Sequence, residues 1–328
     1  MSEQSFLLVP ADSGGCGFYR IMQPGLRYAE LSGKKVCVQK AGERYHTLQQ
    51  LQNGMMYHGL RTVIMHRPME NHQIAHWRSV KRAFPGLKIF MDFDDLLWNP
   101  CPRSSYKPTP QMIANIDEAA RLADRLIAST KPMADALWHR YKKKAAILPN
   151  MIADAEFRDV VVHDRPRLKI LWAGSATHQS DMDQIIPVVR ETHKRYDWLF
   201  MGYVPPKIRS VVGQVNPVRR EDFLATVADI APDIGIASLI QTPFNKCKSN
   251  IKLLEYGAIG TATIASAVYP YNNSAAIRVP PGSTSEWLSA LTRLEDTQAR
   301  RTNAVASQEY ARQFALSSGD SAILKAYN

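Results

Sequence analysis

The order of apolar runs constrains the fold of this chain more than any other feature. Short apolar segments, each the length of a buried strand, alternate with longer segments of helical periodicity, and the alternation runs twice along the 328 residues. A polar, charged stretch at 153–166 separates the two passes. Strands and helices that alternate at this spacing predict parallel sheets with helices on both faces. We therefore expect an α/β protein with two Rossmann-like domains that face a central cleft.

The pattern also predicts where the elements lie. In the first pass we expect strands at 5–10, 35–39, 62–65, 87–91, 125–128 and 146–148, and helices at 19–31, 70–84, 111–123 and 131–141. In the second pass we expect strands at 168–172, 198–201, 234–238 and 261–265, and helices at 181–196, 221–230, 248–258 and within 285–314. The domains expected from this pattern are an N-terminal domain at 1–152, a C-terminal domain at 167–302, and a helical segment at 303–328 that packs back towards the N-terminal domain.

Several classes of protein do not fit the sequence. No apolar run approaches the roughly 18 residues of a membrane span, and the N-terminus lacks the basic residues and long apolar run of a secretion signal. The four cysteines form no C-x-x-C pair, and no histidine pair has zinc-site spacing. We therefore expect a cytoplasmic protein without a disulfide framework or a structural metal.

The chain is strongly basic, with a formal net charge of +11. Such a surface attracts polyanions: nucleic acid, anionic lipid headgroups or phosphorylated substrates. Basic clusters lie at 139–144, 81–82 and 219–220, close in sequence to Trp77, Trp138 and Tyr141. Bases beside aromatics suit phosphate contact and base stacking. The structural alternative is that Trp138 packs in the core and that the lysines only end a helix.

Two glycine-rich loops each lie between a predicted strand and a predicted helix. Gly14 and Gly15 belong to the first loop, and Gly174 and Ser175 to the second, which also contains His178. Loops of this kind let backbone N–H groups approach a phosphate, and the helix that follows favours negative charge. A tight turn explains the first loop equally well, and His178 could instead form part of a helix cap with Asp181.

Three carboxylates follow the fourth strand, in the stretch Asp92-Phe-Asp94-Asp95. Ligands of open α/β sheets bind at the carboxyl ends of strands, so these side chains are candidates for function. One interpretation is a metal site for a nucleotide diphosphate. A second is acceptor binding or general-base chemistry, and a third is the capping of a helix that begins near Leu96.

The segment at 242–260 carries the most specific signal. Asn245, Lys246, Lys248 and Ser249 lie in a loop and at a helix start, where cations and free N–H groups would hold a diphosphate. Two turns further on, Glu255 sits within the apolar run LLEYGAIG, where a solvated helix face would not place it. Its carboxylate could accept both hydroxyls of a ribose.

Taken in order, these signals resemble the GT-B glycosyltransferases of the large retaining branch that includes bacterial polysaccharide and glycolipid transferases. The matching pieces are the early glycine loop, the Asp-x-Asp-Asp-Leu-x-Trp stretch, Leu148-Pro-Asn150, the Trp-Ala-Gly-Ser loop, and the Lys-Ser-x-x-Lys-x-x-Glu-Tyr helix followed by Gly260. The resemblance covers nearly the whole chain. It implies a nucleotide-diphosphate sugar as co-substrate, no metal ion, and no other cofactor.

The resemblance also implies where the substrates lie. The donor would occupy the C-terminal domain, with Glu255 on the ribose and the loop before it on the diphosphate, while Gly14 and Gly15 approach from the N-terminal side. The chain departs from the family pattern in two places: Cys247 replaces the first glutamate of a Glu-x7-Glu pair, and Ser180 replaces a phosphate-binding lysine. Lys246, Lys248 or Lys252 would then substitute for the missing cations. A strand-end histidine of the family has no clear counterpart, so Asp94 or Asp95 would act in its place, and His178 is a further catalytic candidate.

The sequence leaves the acceptor open. Our preferred hypothesis is a hydroxymethylated or otherwise modified base in phage DNA, contacted by Arg20, Lys142, Lys143 and Lys144. One alternative is a lipid-linked or surface saccharide, although the helix at 19–31 has few bases for a membrane-binding helix. Others are a non-catalytic nucleic-acid-binding protein and a nucleotide-sugar epimerase, whose glycine spacing the early loop lacks.

Overall fold

The computed structural model describes residues 4–43 and 45–328, and its described part contains two parallel sheets of six strands each. The strands of the first sheet are β1 (Ser5–Val9), β2 (Lys35–Val38), β3 (Leu60–His66), β4 (Lys88–Phe93), β5 (Arg125–Ala128) and β6 (Ala145–Ile147). Those of the second are β7 (Lys169–Gly174), β8 (Asp197–Gly202), β9 (Gly213–Val215), β10 (Ile234–Ala237), β11 (Ala262–Ser266) and β12 (Ile277–Val279). The strand orders are β2-β1-β3-β4-β5-β6 and β12-β11-β10-β7-β8-β9.

The helices connect the strands and cover both sheets. Those of the first half are α1 (Gly15–Gly17), a π-helical stretch (Phe18–Met22), α2 (Gln23–Ser32), α3 (Leu48–Tyr57), α4 (Asn71–Ala83), α5 (Pro110–Leu122) and α6 (Lys131–Tyr141). Those of the second half are α7 (Ile186–Thr192), α8 (Arg220–Ile230), α9 (Pro243–Cys247), α10 (Ile251–Ala258), α11 (Thr284–Arg293), α12 (Thr297–Arg312) and α13 (Asp320–Tyr327). In the described part of the chain, no helix is both long enough and apolar enough to cross a membrane.

Local sequence explains why these elements form. All five residues of β1 are buried, as a parallel strand covered on both faces requires. Helices α5 and α6 each begin after a threonine whose side chain accepts a hydrogen bond from the third residue of the helix, and each has proline in its first turn. Helix α2 ends at Gly33, whose φ of 68° lies in the left-handed region that glycine adopts without strain.

The last helix belongs to the first sheet. Ile323 and Tyr327 of α13 join the buried cluster that lies between β1 and α2, and Arg27 of α2 forms an ion pair of 2.7 Å with Asp320. The Tyr327 hydroxyl donates to the carbonyl of Arg20 at 3.3 Å. The predicted α/β fold, with two sheets and a C-terminal helix that crosses back, is therefore confirmed. The residue bounds expected for the domains stay predictions.

Several elements differ from expectation for identifiable reasons. Helix α3 was not predicted because Leu51 is its one buried residue, so it has no apolar stripe. Strands β9 and β12 have only three residues each and lie at the sheet edges. The helix expected at 181–196 is instead a 3₁₀ turn (Asp181–Gln184) followed by α7 (Ile186–Thr192), which has proline in its first turn.

Candidate active site

The carboxyl ends of both sheets meet at a cleft that encloses a cavity of about 660 Å³. From the first sheet, the loops after β1, β3 and β4 line it; from the second, the loop after β7 and the start of α10 line it. Of the predicted site residues, the lining includes Gly14, Gly15, Arg20, Asp94, Asp95, Gly174, Ser175, His178, Lys248, Ser249 and Glu255. Both glycine loops and the α10 segment therefore open into one space.

The first glycine loop is held by Asp12. Its Oδ1 accepts hydrogen bonds from the backbone N–H of Gly14 at 2.9 Å and of Gly17 at 3.0 Å. A Cβ at Gly17 would lie 1.9 Å from the Asp12 carbonyl oxygen, so glycine is required there. A Cβ at Gly15 would meet nothing nearer than 4.0 Å. Gly15 thus leaves open space beside the cavity.

The three carboxylates after β4 have separate surroundings. Asp92 is buried, forms an ion pair of 2.7 Å with Arg20 and, unlike the other two, does not line the cavity. Asp94 lies 3.0 Å from His66 Nε2 and 3.3 Å from Arg67. Residues 94–99 form bends and turns, so the expected helix near Leu96 is absent and the capping interpretation is wrong.

Asp95 lies between the two halves of the cleft. Its carboxylate is 3.3 Å from Lys248 Nζ and 3.9 Å from Arg67. Burial by itself would lower the pKa of Lys248, but the charges of Asp95 and Asp181 outweigh it and raise that pKa. Lys248 is therefore cationic at neutral pH, and it joins the second half of the molecule to a carboxylate of the first.

Arg67 and His66 are central to the site, and the sequence did not single them out. The Arg67 guanidinium also contacts Asp12, at 3.0 Å, so it links the glycine loop to the carboxylates. Its φ of 31° is unusual for a residue other than glycine. Burial opposes ionisation of Asp94, yet Arg67 and His66 hold its pKa well below the ordinary value. The available signal was the polar pair directly after the apolar run TVIM.

Helix α10 supplies the second wall of the cleft. Lys252 and Glu255 are three residues apart and line the cavity together. Burial, with a further contribution from the nearby Lys248 charge, lowers the pKa of Lys252 to about 8, although Glu255 opposes the shift. The Lys252 ammonium lies 5.0 Å from the centre of the Trp172 ring and donates to the carbonyl of Ala173.

Glu255 is partly buried and is contacted from across the cleft. The Tyr19 hydroxyl, which follows the first glycine loop, donates to Glu255 Oε1 at 3.0 Å. Arg220, at the start of α8, donates to the Tyr19 oxygen and stacks over its ring at 4.2 Å. Burial raises the pKa of Glu255, while Arg220 and Lys252 act against that shift. Arg220 was grouped with surface bases in the sequence, but it is buried inside the cleft.

The second glycine loop shapes the space beside Lys252. A Cβ at Gly174 would lie 2.8 Å from the Trp172 ring and 2.9 Å from Lys252 Nζ. Ser175 follows with its hydroxyl 2.7 Å from that of Thr177. Glycine at 174 therefore keeps the strand end close to the lysine.

His178 is fixed by Asp181, with Nδ1 2.7 Å from Oδ2. Burial, assisted by the Lys248 charge, lowers the pKa of His178 to about 4, so the ring is neutral at neutral pH. Because a carboxylate only accepts hydrogen bonds, the ring hydrogen lies on Nδ1 and Nε2 is left as an acceptor. This geometry suits contact with a hydroxyl better than contact with a phosphate.

The structure does not bring every predicted residue to the cavity wall. Asn245 is fully buried and donates to Asp181 and to the Ile240 carbonyl, so it supports His178 from behind. Lys246 is exposed and does not line the cavity. Ser249 lines it and accepts a hydrogen bond from Asn150 at 2.9 Å.

The predicted acceptor contacts are also divided. Arg20 is 1% exposed, and its nitrogens bind Asp92, the Leu148 carbonyl and Asn150. The Lys143 ammonium donates to three carbonyls at the end of α5, those of Ala120, Arg121 and Ala123. These two side chains thus have structural partners.

Lys142 and Lys144 are exposed and follow Trp138 closely in the sequence, and Trp138 is 43% exposed. The interpretation of Trp138 as a core residue is therefore wrong. Trp77, in contrast, is buried at 1% and cannot stack on a base at the surface.

Comparisons with known proteins give fold relatives only. No protein-family model matches the chain, and no curated protein sequence matches it. Among solved structures, Anabaena HepE in complex with UDP and glucose has a TM-score of 0.69 at 12% identity, covering 99% of each chain. A glycosyltransferase from Rickettsia africae gives 0.68 at 12% identity, covering 100% of this chain and 98% of that one.

A third relative is an alpha-glucosyltransferase in complex with UDP-glucose and DNA containing an abasic site. Its TM-score is 0.63 at 11% identity, covering 96% of this chain and 95% of that one. At such identities the likeness concerns the fold, and it establishes that this chain has the GT-B fold.

Proposed function

We propose that the protein is a nucleotide-sugar-dependent glycosyltransferase with its donor site on α10 and the loops beside it. One observation carries the proposal: Lys248, Lys252 and Glu255 line a single cavity between the two sheets, together with two glycine loops. All three side chains are partly withdrawn from solvent, and charges in such places are costly unless they are paired or used. Two cations for a diphosphate and one carboxylate for a ribose are what a nucleotide sugar needs.

The donor would lie along α10. Lys248 and Lys252 would hold the diphosphate, with backbone N–H groups near Gly174 and Ser175 adding hydrogen bonds. Glu255 would accept the ribose hydroxyls once Tyr19 has moved away from it. Gly14 and Gly15 would approach the donor from the opposite side, where no side chain stands in the way.

The reaction would then be a transfer at the anomeric carbon. The bond from that carbon to the β-phosphate oxygen breaks, and a bond to the acceptor oxygen forms. In the retaining course that we propose, the acceptor proton passes to the departing phosphate on the same face. Lys248 and Lys252 would stabilise the charge that develops on that phosphate.

Asp94 and Asp95 would orient the acceptor. Because its low pKa makes Asp94 a weak base, we assign it to accept a hydrogen bond from the acceptor hydroxyl while remaining ionised. Asp95 would hold Lys248 in place, and His178 Nε2 would accept from a hydroxyl of the transferred sugar. We propose a hexose or a pentose as that sugar.

For the acceptor we propose DNA that carries a hydroxymethylated base. The net charge of +11 supports a polyanion, and exposed Lys142 and Lys144 are close in sequence to exposed Trp138. The DNA bound by the alpha-glucosyltransferase of the same fold is consistent with this choice. We leave Arg20 and Lys143 out of the proposed contacts, since both have other partners. The cytoplasm is the compartment in which we expect the reaction.

The test is a transfer assay with purified protein, EDTA and a panel of UDP- and GDP-sugars. Three reactions run in parallel, with plain DNA, with hydroxymethyl-pyrimidine DNA and without acceptor. Digested nucleosides are then weighed by mass spectrometry. We expect a mass gain of one sugar on the modified DNA only, and it should persist in EDTA.

Variants locate the donor site. Glu255→Ala should lower the affinity for the donor nucleotide by about ten- to a hundredfold, because hydrogen bonds to a charged group contribute about 1.5–3 kcal/mol. Glu309→Ala, at an exposed glutamate of α12, is the matched control and should keep both affinity and transfer. Donor turnover without DNA product would move the acceptor to a saccharide. No turnover of any donor would contradict the proposed glycosyltransferase activity.

A further inference from the structure

A second cavity, of about 520 Å³, adjoins the cleft on the side of the first sheet. It lies where β1 and β3 end and where α4 begins, and Ala11 lines both cavities. Its size falls within the roughly 300–1,000 Å³ of small-molecule sites. The proposed donor contacts leave this cavity unused.

Aromatic rings form much of its wall. Tyr45 and His76 both line the cavity and are stacked on each other, with ring centres 5.0 Å apart and an interplanar angle of 20°. Trp77 packs at the edge of both rings, at 5.2 and 4.9 Å. Such a rigid stack offers a flat surface on which another planar ring can rest.

Two polar atoms in the same wall have no hydrogen-bond partner among the described residues. His76 Nε2 is buried and makes no hydrogen bond in the described structure, and neither does His66 Nδ1. The His66 residue is 3% exposed. Buried polar groups are normally satisfied, so these nitrogens indicate a ligand that supplies hydrogen-bonding atoms.

His66 connects this cavity to the proposed reaction centre. It lines the second cavity, while its Nε2 lies 3.0 Å from Asp94, which lines the first. A ring held in the second cavity would therefore lie next to the carboxylate that we assign to the acceptor hydroxyl.

The described part of the lining offers few charged groups. Among the described residues, no three His, Cys, Asp or Glu side chains are arranged to hold a metal ion. Among the described lining residues, Glu43 is the one Asp, Glu, Lys or Arg. Burial lowers the pKa of His76, and the charge of the nearby His46 lowers it further. The His76 ring is therefore neutral. A neutral, planar ring with polar edges fits best.

We infer that the second cavity binds the heteroaromatic ring of the acceptor, a hydroxymethylated pyrimidine turned out of the duplex, between the Tyr45–His76 stack and His66. This inference rests on the proposed function, because it specifies how that same site takes its acceptor. Leaving the duplex costs the base its stacking energy, and the aromatic wall would replace part of it. The hydroxymethyl group would point towards Asp94.

The first experiment compares variants in the transfer assay on hydroxymethyl-pyrimidine DNA. Tyr45→Leu and His76→Leu should each lower transfer at least tenfold relative to donor hydrolysis, mainly through a higher KM for DNA. Tyr45→Phe keeps the ring and should stay within about twofold of wild type, since the base would stack on the ring and not on the hydroxyl. His58→Ala, at an exposed histidine after α3, controls for the loss of a histidine.

The second experiment is independent of catalysis. Protein labelled at the histidine rings is titrated with 5-hydroxymethyl-2′-deoxycytidine or with glucose and followed by NMR. The signals of His66 and His76 are assigned by their disappearance from the spectra of His66→Gln and His76→Leu. Saturable shifts of both signals with the nucleoside alone support the inference.

If the wild type transfers no sugar to DNA, the proposed DNA acceptor is wrong. The NMR shifts then still show whether the second cavity binds the nucleoside. Shifts with glucose but not with the nucleoside, or no shift with either, overturn the inference. So does normal transfer by Tyr45→Leu and His76→Leu.

Discussion

The hydroxyl of Tyr19 donates a hydrogen bond of 3.0 Å to Glu255, across the cleft between the two sheets. Glu255 is the carboxylate that we assign to the donor ribose, so Tyr19 and the ribose need the same acceptor atoms. The contact joins the two halves in this conformation. On this assignment, donor binding would have to replace the contact.

Tyr19→Phe should therefore tighten binding of UDP. A net hydrogen bond contributes about 0.5–1.5 kcal/mol, so removing this competitor should raise the affinity about two- to tenfold. Calorimetric titration with UDP checks this, with Tyr57→Phe as the control because Tyr57 is 72% exposed. Weaker binding in Tyr19→Phe would mean that Tyr19 contacts the nucleotide directly.

Donor affinity should depend on pH through Lys252. Its pKa of about 8 means that it loses its charge near that pH. A diphosphate binds the protonated ammonium, so kcat/KM for the donor should be highest below pH 8 and should fall as the pH rises above it. Lys252→Arg keeps its charge at every accessible pH, and the fall between pH 7.5 and 9 should then vanish. An unchanged profile in this variant would remove Lys252 from the diphosphate site.

Arg67 should matter for stability as well as for the site. Removing it leaves Asp12, Asp94 and Asp95 without their shared cation, and Arg67→Ala should lower the free energy of unfolding by about 3 kcal/mol at pH 7. Chemical denaturation measures this, with Arg121→Ala, at an exposed position of α5, as the control.

The loss in Arg67→Ala should also depend on pH. In the wild type the lowered pKa of Asp94 stabilises the fold above the ordinary carboxyl range, and this stabilisation disappears as the pH falls through the lowered value. The difference between variant and wild type should therefore keep its full size above about pH 4 and shrink as the pH falls below it. A difference that grows in acid would contradict the ion-pair account.

The glycine loop gives a steric test. Gly17→Ala would place a Cβ 1.9 Å from the Asp12 carbonyl oxygen, which is backbone and cannot turn aside. We expect a loss of about 1–3 kcal/mol in unfolding free energy. Gly15→Ala, with its nearest atom at 4.0 Å, should unfold within about 0.5 kcal/mol of wild type. Equal stability of the two variants would show that the loop rearranges easily.

The sheets could be predicted from the sequence because buried parallel strands consist of short, continuous apolar runs. The sequence also predicted that Lys248 and Glu255 share one segment, because helical spacing is local. It did not predict the partners of these residues. Tyr19 meets Glu255 and Asp95 meets Lys248 only after two sheets have folded and come together, and no local pattern encodes that meeting.

The same limit explains His66 and Arg67. His66 is the last residue of β3 and Arg67 follows it, while Asp94 follows β4. Parallel pairing sets His66 opposite Asp92 in register. The contact of His66 with Asp94 therefore depends on how the chain turns after Phe93, where β4 ends. Polar residues at the ends of neighbouring parallel strands lie at the same edge of the sheet, and this is the sequence signal that indicates such a contact.

The position of α13 has a consequence for how the protein is made. The first sheet is complete in sequence by Ile147, yet its face beside α2 is covered by α13, which ends at Tyr327. During synthesis the ribosome must therefore release nearly two hundred further residues, roughly ten to forty seconds of translation, before this apolar face is covered. For that interval the nascent chain carries an open patch, and a chaperone or the folding second half would have to shield it.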